Sequence, residues 1–339
     1  FFREQVAAYG DAMVDHARET VAGWDDDEVV EIDAAATDYA FAVLAESLLG
    51  PDVEGERDTV RAAAESITER YDTTRITSFL PEWVPTATNR RYRRRVAALR
   101  EAVCDLVAER RAAGPPATPA AAGDLLGTLV AAAEIGALDD DELVDNAVTF
   151  LFAGHETSAL GLTYTLYCLA ANPTVQERVA AEVAALDGPP TPGAIRDCPR
   201  LTAAVDEALR LYPPVHSFFR SPTEPVTLGG YRVPEGVVLT LSPWTVHRDD
   251  SRGPAVGERP EYAYFPFGGG PRHCIGMRFA RQELRLATAV ILRRCRLTAV
   301  TDDLELQASA NTRPAHPVRV RVHERGTGRF RVDEPRAGR

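Results

Sequence analysis

The sequence predicts a mainly α fold (α+β) with one long central helix and a small β region. Helical apolar periodicity dominates the first two thirds of the chain, and the stretch 139–171 is unusually long with an apolar middle. After Pro213-Pro214 the pattern changes to short β-like runs set between glycine and proline turns. A chain of 339 residues buries roughly three quarters of its unfolded surface, which leaves room for a deep, dry pocket.

In chain order, helices are expected near 3–22, 33–49, 56–71, 89–112, 124–134, 139–171, 174–186 and 199–212. The loops beginning Gly114-Pro115-Pro116 and Gly188-Pro189-Pro190 cannot continue a helix. Asp139 with Glu142 can cap the long helix at its start, and Asn172-Pro173 stops it. Strands are expected within 225–233 and 236–243, turning at Gly229-Gly230 and Pro234-Glu235-Gly236. A last helix over 276–294 and closing strands at 296–300 and 317–323 complete a single domain, 1–323, followed by a polar tail, 324–339, expected to fray. The chain opens on Phe1-Phe2-Arg3 in a helical pattern without an initiator Met, so it is expected to begin mid-protein.

Fifty acidic residues against 38 basic ones, all of them Arg, give a net charge of -12. Such an acidic surface repels nucleic acid and anionic lipid. The absence of Lys fits either codon bias or adaptation to high salt. The five cysteines form no C-x-x-C pair, which argues against a zinc knuckle or a redox dithiol and for a reduced, cytoplasmic protein. No apolar run reaches 18 residues, so no membrane span is expected. The Arg cluster from Arg90 to Arg95 reads as a solvated helix start.

Three motifs carry chemistry. A loop that presents a ligand to a large planar cofactor needs glycines for close approach, an aromatic wall, a cation for carboxylates and a thiolate. Phe267, Gly268, Gly269, Gly270, Arg272, Cys274 and Gly276 supply these within ten residues. An isolated cysteine is usually a small buried hydrophobe; the fixed spacing F-x-x-G-x-R-x-C-x-G outweighs that reading here. In the long helix, Gly154 costs about 1 kcal/mol relative to Ala. Thr157 either bonds back to a carbonyl four residues earlier or turns its hydroxyl into a local widening. Glu156 in apolar surroundings needs a partner or water, which makes it a candidate for moving protons. His155-Glu156 lacks the second His of H-E-x-x-H, since residue 159 is Ala, so a zinc protease is excluded. Glu207 and Arg210, three apart, can pair on one helix face.

Taken in order, these motifs resemble those of the cytochrome P-450 family of haem-thiolate monooxygenases: Ala153-Gly154-His155-Glu156-Thr157 its oxygen-activation motif, Glu207-Ala208-Leu209-Arg210 its E-x-x-R helix, and the Cys274 loop its haem signature. The resemblance implies a P-450-like helical fold and haem b, with its iron bound by the Cys274 thiolate. It further implies that Phe267, Gly268, Gly270, Arg272, Gly276, Ala153 and Gly154 contact the cofactor. Arg220 resembles the arginine that pairs with a haem propionate. Thr157 and Glu156 then serve catalysis, while Glu207 and Arg210 organise the core beneath the haem. By analogy Phe150, 215–218 and 310–312 face an apolar substrate. No flavin or nicotinamide fingerprint is visible, so electrons come from a separate protein such as a ferredoxin, to a monomeric enzyme. The rival readings are a peroxide-using or isomerising haem-thiolate enzyme and a shortened haem binder without activity.

Two departures from the family follow. The resemblance leads one to expect a W-x-x-x-R helix in a portion ahead of Phe1, and the same spacing at Trp244 to Arg248 reads as coincidence at the end of a strand. The meander between Asp249 and Tyr264 is shortened, leaving Arg252 or Arg259 as substitutes for its arginine. Glu207 and Arg210 are therefore expected to be incompletely satisfied.

Overall fold

The computed structural model describes residues 3–49, 57–70, 72, 76–119, 122–249 and 260–326. The expected first helix is two, α1 (Arg3–Ala8) and α2 (Gly10–Ala22), separated at Tyr9. A Cβ at Gly10 would lie 2.2 Å from Pro192, so glycine there lets the 188–193 loop press on the helix start. Strand β1 (Val29–Glu31) follows, then α3 (Ile32–Leu49), α4 (Arg57–Arg70), α5 (Ala87–Ala112) and α6 (Leu125–Glu134). The central helix is α7 (Asp140–Ala171), and α8 (Pro173–Ala184) and α9 (Pro199–Leu211) come after it. Its capping box forms as the sequence predicts: Glu142 N–H donates to Asp139 Oδ1 at 2.7 Å, and Asp139 N–H to Glu142 Oε2 at 3.0 Å.

The small β region contains β2 (Phe218–Arg220), β3 (Val226–Leu228), β4 (Tyr231–Val233) and β5 (Leu239–Leu241). The run 236–243 is thus strand only at its centre. Ser242 caps a short helix, α10 (Pro243–Val246), by accepting from the Thr245 N–H at 3.3 Å, so Trp244 stands on a helix and not at the end of a strand. The final helix α11 (Met277–Arg294) runs into β6 (Cys295–Ala299), and β7 (Leu306–Ala308), β8 (Thr312–Pro314) and β9 (Arg319–Glu324) close the described chain. Three-residue strands such as β1, β2, β7 and β8 are too short to show a period in sequence. Pairing is antiparallel throughout: β1-β9-β6 in register Val30↔Val320 and Leu297↔Val322, β2 with β5, β3 with β4, and β7 with β8. The tail beyond residue 326 and the Arg252 and Arg259 positions lie outside the described residues.

Two apolar clusters make the core, and α7 belongs to both. Its C-terminal half packs with α2, α3, α8, α9, α11, β6 and β9; its N-terminal half packs with α3 to α6. The motif 153–157 falls at the seam, between Leu151 of one cluster and Ala159 of the other. Helix α11 crosses α7 just beyond the motif. There the Ser158 hydroxyl donates to Glu283 Oε2 at 2.6 Å, and a Cβ on Gly161 would stand 3.1 Å from Leu284 Cδ1. Among the described residues, no helix is long and apolar enough to cross a membrane.

Candidate functional site

The Cys274 loop is built on its own backbone. Cys274 N–H donates to Phe267 O at 2.8 Å, closing the loop, and His273 N–H donates to Gly270 O at 3.1 Å. Gly268 and Gly270 take φ of +73° and +68°, the left-handed region where side chains are strained. Phe267 packs against the larger core with the Arg281 guanidinium 5.4 Å from its ring centre, and Arg281 in turn pairs with Asp206 of α9 at 3.4 Å. The loop is thereby fastened to two helices while Arg272 and Cys274 stay exposed.

Cys274 differs from the half-buried Cys168 and the buried Cys295. Burial pushes the Cys168 thiol up to about 12 and that of Cys295 to about 11, whereas Cys274 is accessible. Partial desolvation raises the Cys274 pKa as well, and a hydrogen bond from the Gly276 backbone pulls it back. The loop alone leaves a thiol above its ordinary value; a bound metal ion is what deprotonates such a group outright.

Across the α7–α11 crossing, Phe150, Ala153 and Thr157 recur at i, i+3 and i+7 and share one face. These positions are accessible in a helix whose flanking residues Leu151, His155, Glu156 and Ser158 are buried. Thr157 Oγ1 donates to Ala153 O at 2.8 Å, the first of the two arrangements the sequence allows. A Cβ at Gly154 would lie 2.9 Å from Leu44 Cδ1, so this glycine lets α3 approach α7. Glu156 faces a different side, paired with Arg313 of β8. Helix α7 thus carries an accessible strip with Phe150 and Ala153, and the loop ahead of α11 carries an accessible thiol and glycines, with the exposed Arg272 in the thiol's own loop.

The Glu207–Arg210 pair forms. Arg210 donates to both Glu207 oxygens at 2.7 and 2.6 Å and finds a third acceptor in the His247 carbonyl at 2.8 Å. The carbonyl at the end of α10 thus satisfies Arg210, while Arg252 and Arg259, the candidates for a further arginine on Glu207, lie outside the described residues. His247, fully buried, accepts from the Phe265 N–H at 2.9 Å and so ties α10 to the segment leading into the Cys274 loop. The Trp244 and Arg248 side chains stack, with the guanidinium 3.3 Å from the ring centre. Arg220, on β2, is exposed and donates to Phe219 O at 2.8 Å.

Sequence reasoning missed Glu283, His247 and Arg313. Glu283 carried a readable signal: an acid four residues after Phe279 on the buried face of α11. His247 and Arg313 had none, the one standing just past a four-residue helix and the other in a three-residue strand.

A sequence profile of the cytochrome P450 family matches residues 1–252 and 253–318. Cyclooctat-9-en-7-ol 5-monooxygenase of Streptomyces melanosporofaciens is 34% identical over 88% of this chain and 69% of its own length. Pentalenene oxygenase of Streptomyces avermitilis is 32% identical over 95% of this chain and 74% of its own. Among solved structures, the haem domain of cytochrome P450DA superposes with a TM-score of 0.82 at 26% identity, covering 94% of this chain and 74% of that one. This chain therefore belongs to the cytochrome P450 family, the monooxygenases whose cofactor is haem b held by a cysteine thiolate.

Proposed function

We propose that Cys274 is the axial thiolate of this chain and that the protein inserts one oxygen atom of dioxygen into an apolar organic substrate. The carrying observation is the accessible strip Phe150, Ala153 and Thr157 on a helix whose neighbouring Leu151, His155, Glu156 and Ser158 are buried, together with the glycine loop of an accessible cysteine. Bound haem supplies the oxygen chemistry; the chain supplies placement, exclusion of water and protons. Phe267, Gly268, Gly270 and Gly276 shape the cysteine side, Arg272 and Arg220 answer the propionates, and Ala153 and Gly154 form the oxygen side. The Thr157 hydroxyl, now on the Ala153 carbonyl, presents a hydrogen bond beside the reacting oxygen. Glu156 passes protons, which the reaction needs because the second oxygen atom leaves as water.

The names of two relatives, an alkenol monooxygenase and an alkene oxygenase, support an apolar substrate. Phe150, 215–218 and 310–312 are the segments proposed to face it. Within these segments the Thr312 hydroxyl and His216 Nδ1 are buried without a hydrogen-bond partner among the described residues. Electrons are proposed to arrive from a separate redox protein such as a ferredoxin, to a cytoplasmic monomer. The test is the absorption spectrum of the reduced, carbon monoxide-bound protein: thiolate ligation moves the main band well to the red of histidine ligation. An unshifted band overturns the assignment of Cys274.

A further inference from the structure

Between α4 and α5 the chain holds three large apolar side chains out in water: Phe79, Leu80 and Trp83, the first 72% and the last 76% exposed. They do not stand on slack chain. The 3-10 turn Ile76–Phe79 and the residues after it are tied from beneath by two buried side chains. Arg70 of α4 donates to Ser78 O at 2.7 Å and Leu80 O at 2.8 Å, and Asn89 of α5 donates to Pro81 O at 3.0 Å and Val84 O at 2.9 Å. Apolar side chains fixed outward as a group mark a contact surface, whereas single ones need no explanation.

The first turns of α5 follow at once with Arg90, Arg91, Arg93, Arg94 and Arg95, all exposed, and no acid lies between Glu82 and Glu101. At 100° per residue, Arg90 and Arg94 lie opposite the core residues Leu99 and Val103, with Arg91 and Arg93 to either side. Arg91 pairs with Glu69 at 2.7 Å and Arg90 donates to Pro85 O at 2.7 Å, while Arg93, Arg94 and Arg95 have no side-chain partner among the described residues. For the helix this placement is unfavourable. Its start is the positive end of the macrodipole, its first turn has no acid, and Arg90 with Arg94 and Arg91 with Arg95 are like charges four apart. The reading of the cluster as a solvated helix start leaves that cost, and the apolar group beside it, without a reason.

We propose that the edge from Phe79 to Arg95 docks the protein on an anionic lipid surface. Phe79, Leu80 and Trp83 enter the boundary between headgroups and acyl chains, and Arg90, Arg93, Arg94 and Arg95 meet the headgroup phosphates. A bilayer relieves both liabilities together, since its interface takes aromatic rings and its negative potential attracts the arginines. The repulsion expected of an acidic surface still holds for the rest of the molecule, whose net charge of -12 confines attachment to this edge and keeps it reversible. No membrane-crossing helix is needed. The inference is independent of the role given to Cys274.

The experiment sediments the haem-loaded full chain with vesicles of phosphatidylcholine, alone or mixed with phosphatidylglycerol, and follows tryptophan fluorescence. Of the three tryptophans, Trp24 is buried and Trp244 is half-buried against Arg248, so a blue shift on binding reports Trp83, and Trp83→Phe identifies it. We expect binding to the mixed vesicles only, with a blue shift that Trp83→Phe abolishes, and release by high salt. Free glycerophosphate should give no shift, which separates a bilayer from a single headgroup. The triple variant Arg93→Gln, Arg94→Gln, Arg95→Gln should bind about a hundredfold more weakly, and Phe79→Ser with Trp83→Ser at least about tenfold. Replacing the three arginines by Lys should retain binding, because the attraction is one of charge. All these side chains project into water, so Tm should stay within about 2 °C of wild type. If the triple variant does not fold, Arg94→Gln alone decides, with an expected weakening of about fivefold. Absence of binding to the mixed vesicles, equal binding to both kinds, a blue shift with glycerophosphate alone, or undiminished binding by the arginine or the aromatic variant each overturns the proposal.

Discussion

The two walls of the site are held in opposite ways. The Cys274 loop is fixed chiefly by contacts within itself: the Cys274 to Phe267 bond, the His273 to Gly270 bond and two left-handed glycines. The 153–157 segment is ordinary helix locally, and its character comes from distant residues: Leu44 against Gly154, Arg313 on Glu156, and Glu283 under Ser158. A wall built from near neighbours writes itself into a short motif. One built from remote partners leaves those partners out of its motif.

The largest expected effect separates ligand from scaffold. Cys274→Ala removes a side chain that takes only a hydrogen bond from the Gly276 backbone, since the bond that closes the loop runs through the Cys274 backbone N–H. We expect complete loss of the red-shifted carbon monoxide band with Tm of the haem-free protein within about 2 °C of wild type. A large drop in Tm would mean that the thiol itself organises the loop. On the other wall, Thr157→Ala forfeits only a bond back to Ala153 O. Haem should be retained, with a several-fold larger share of reducing equivalents released as peroxide. Unchanged coupling of electrons to product in this variant removes Thr157 from the mechanism.

This contrast also explains what the sequence made legible. The long helix, its capping box and the Cys274 loop depend on residues within a few positions of one another, and periodicity and spacing reach that far. The Glu207–Arg210 pair was legible for the same reason, but its third partner, the His247 carbonyl, was not, because 37 residues separate it from Arg210. Trp244 was assigned to a strand because the alternation before it is β-like; Ser242 as a cap and Pro243 at the first helical position were the local signs of α10. The seam between the two core clusters, which puts Glu156 beside a cleft, arises only when β8 folds back onto α7.

Glu283 tests the remote-partner wall through pH. Burial raises its pKa from 4.5 to about 8, opposed in part by the Ser158 hydroxyl. The folded state then binds a proton that the unfolded chain has lost, so stability falls as pH rises from about 4.5 to about 8 and is flat on either side of that window for this group. Glu283→Gln keeps an acceptor for Ser158 and removes the titration. We expect chemical-denaturation midpoints of wild type to decline between pH 5 and 8 and those of Glu283→Gln to decline less. Parallel declines would show that Glu283 is charged in the fold across this range.

The smallest effects give the sharpest comparison, because two glycines, one in each wall, face nearly the same steric conflict. An added Cβ would stand 2.9 Å from Leu44 at Gly154 and 2.8 Å from the Tyr262 ring at Gly269. Leu44 is 7% exposed and hemmed in by the smaller core, whereas Tyr262 is 59% exposed and can swing outward. Gly154→Ala gains about 1 kcal/mol of helix propensity and loses about 1–3 kcal/mol to overpacking, a net loss on the order of 1 kcal/mol. Gly269 has an extended backbone with φ of -156°, which alanine adopts without strain, so Gly269→Ala should stay within about 0.5 kcal/mol of wild type. Equal losses at the two positions would mean that Tyr262 is held as firmly as Leu44, and that the cysteine wall, too, depends on a partner outside its own motif.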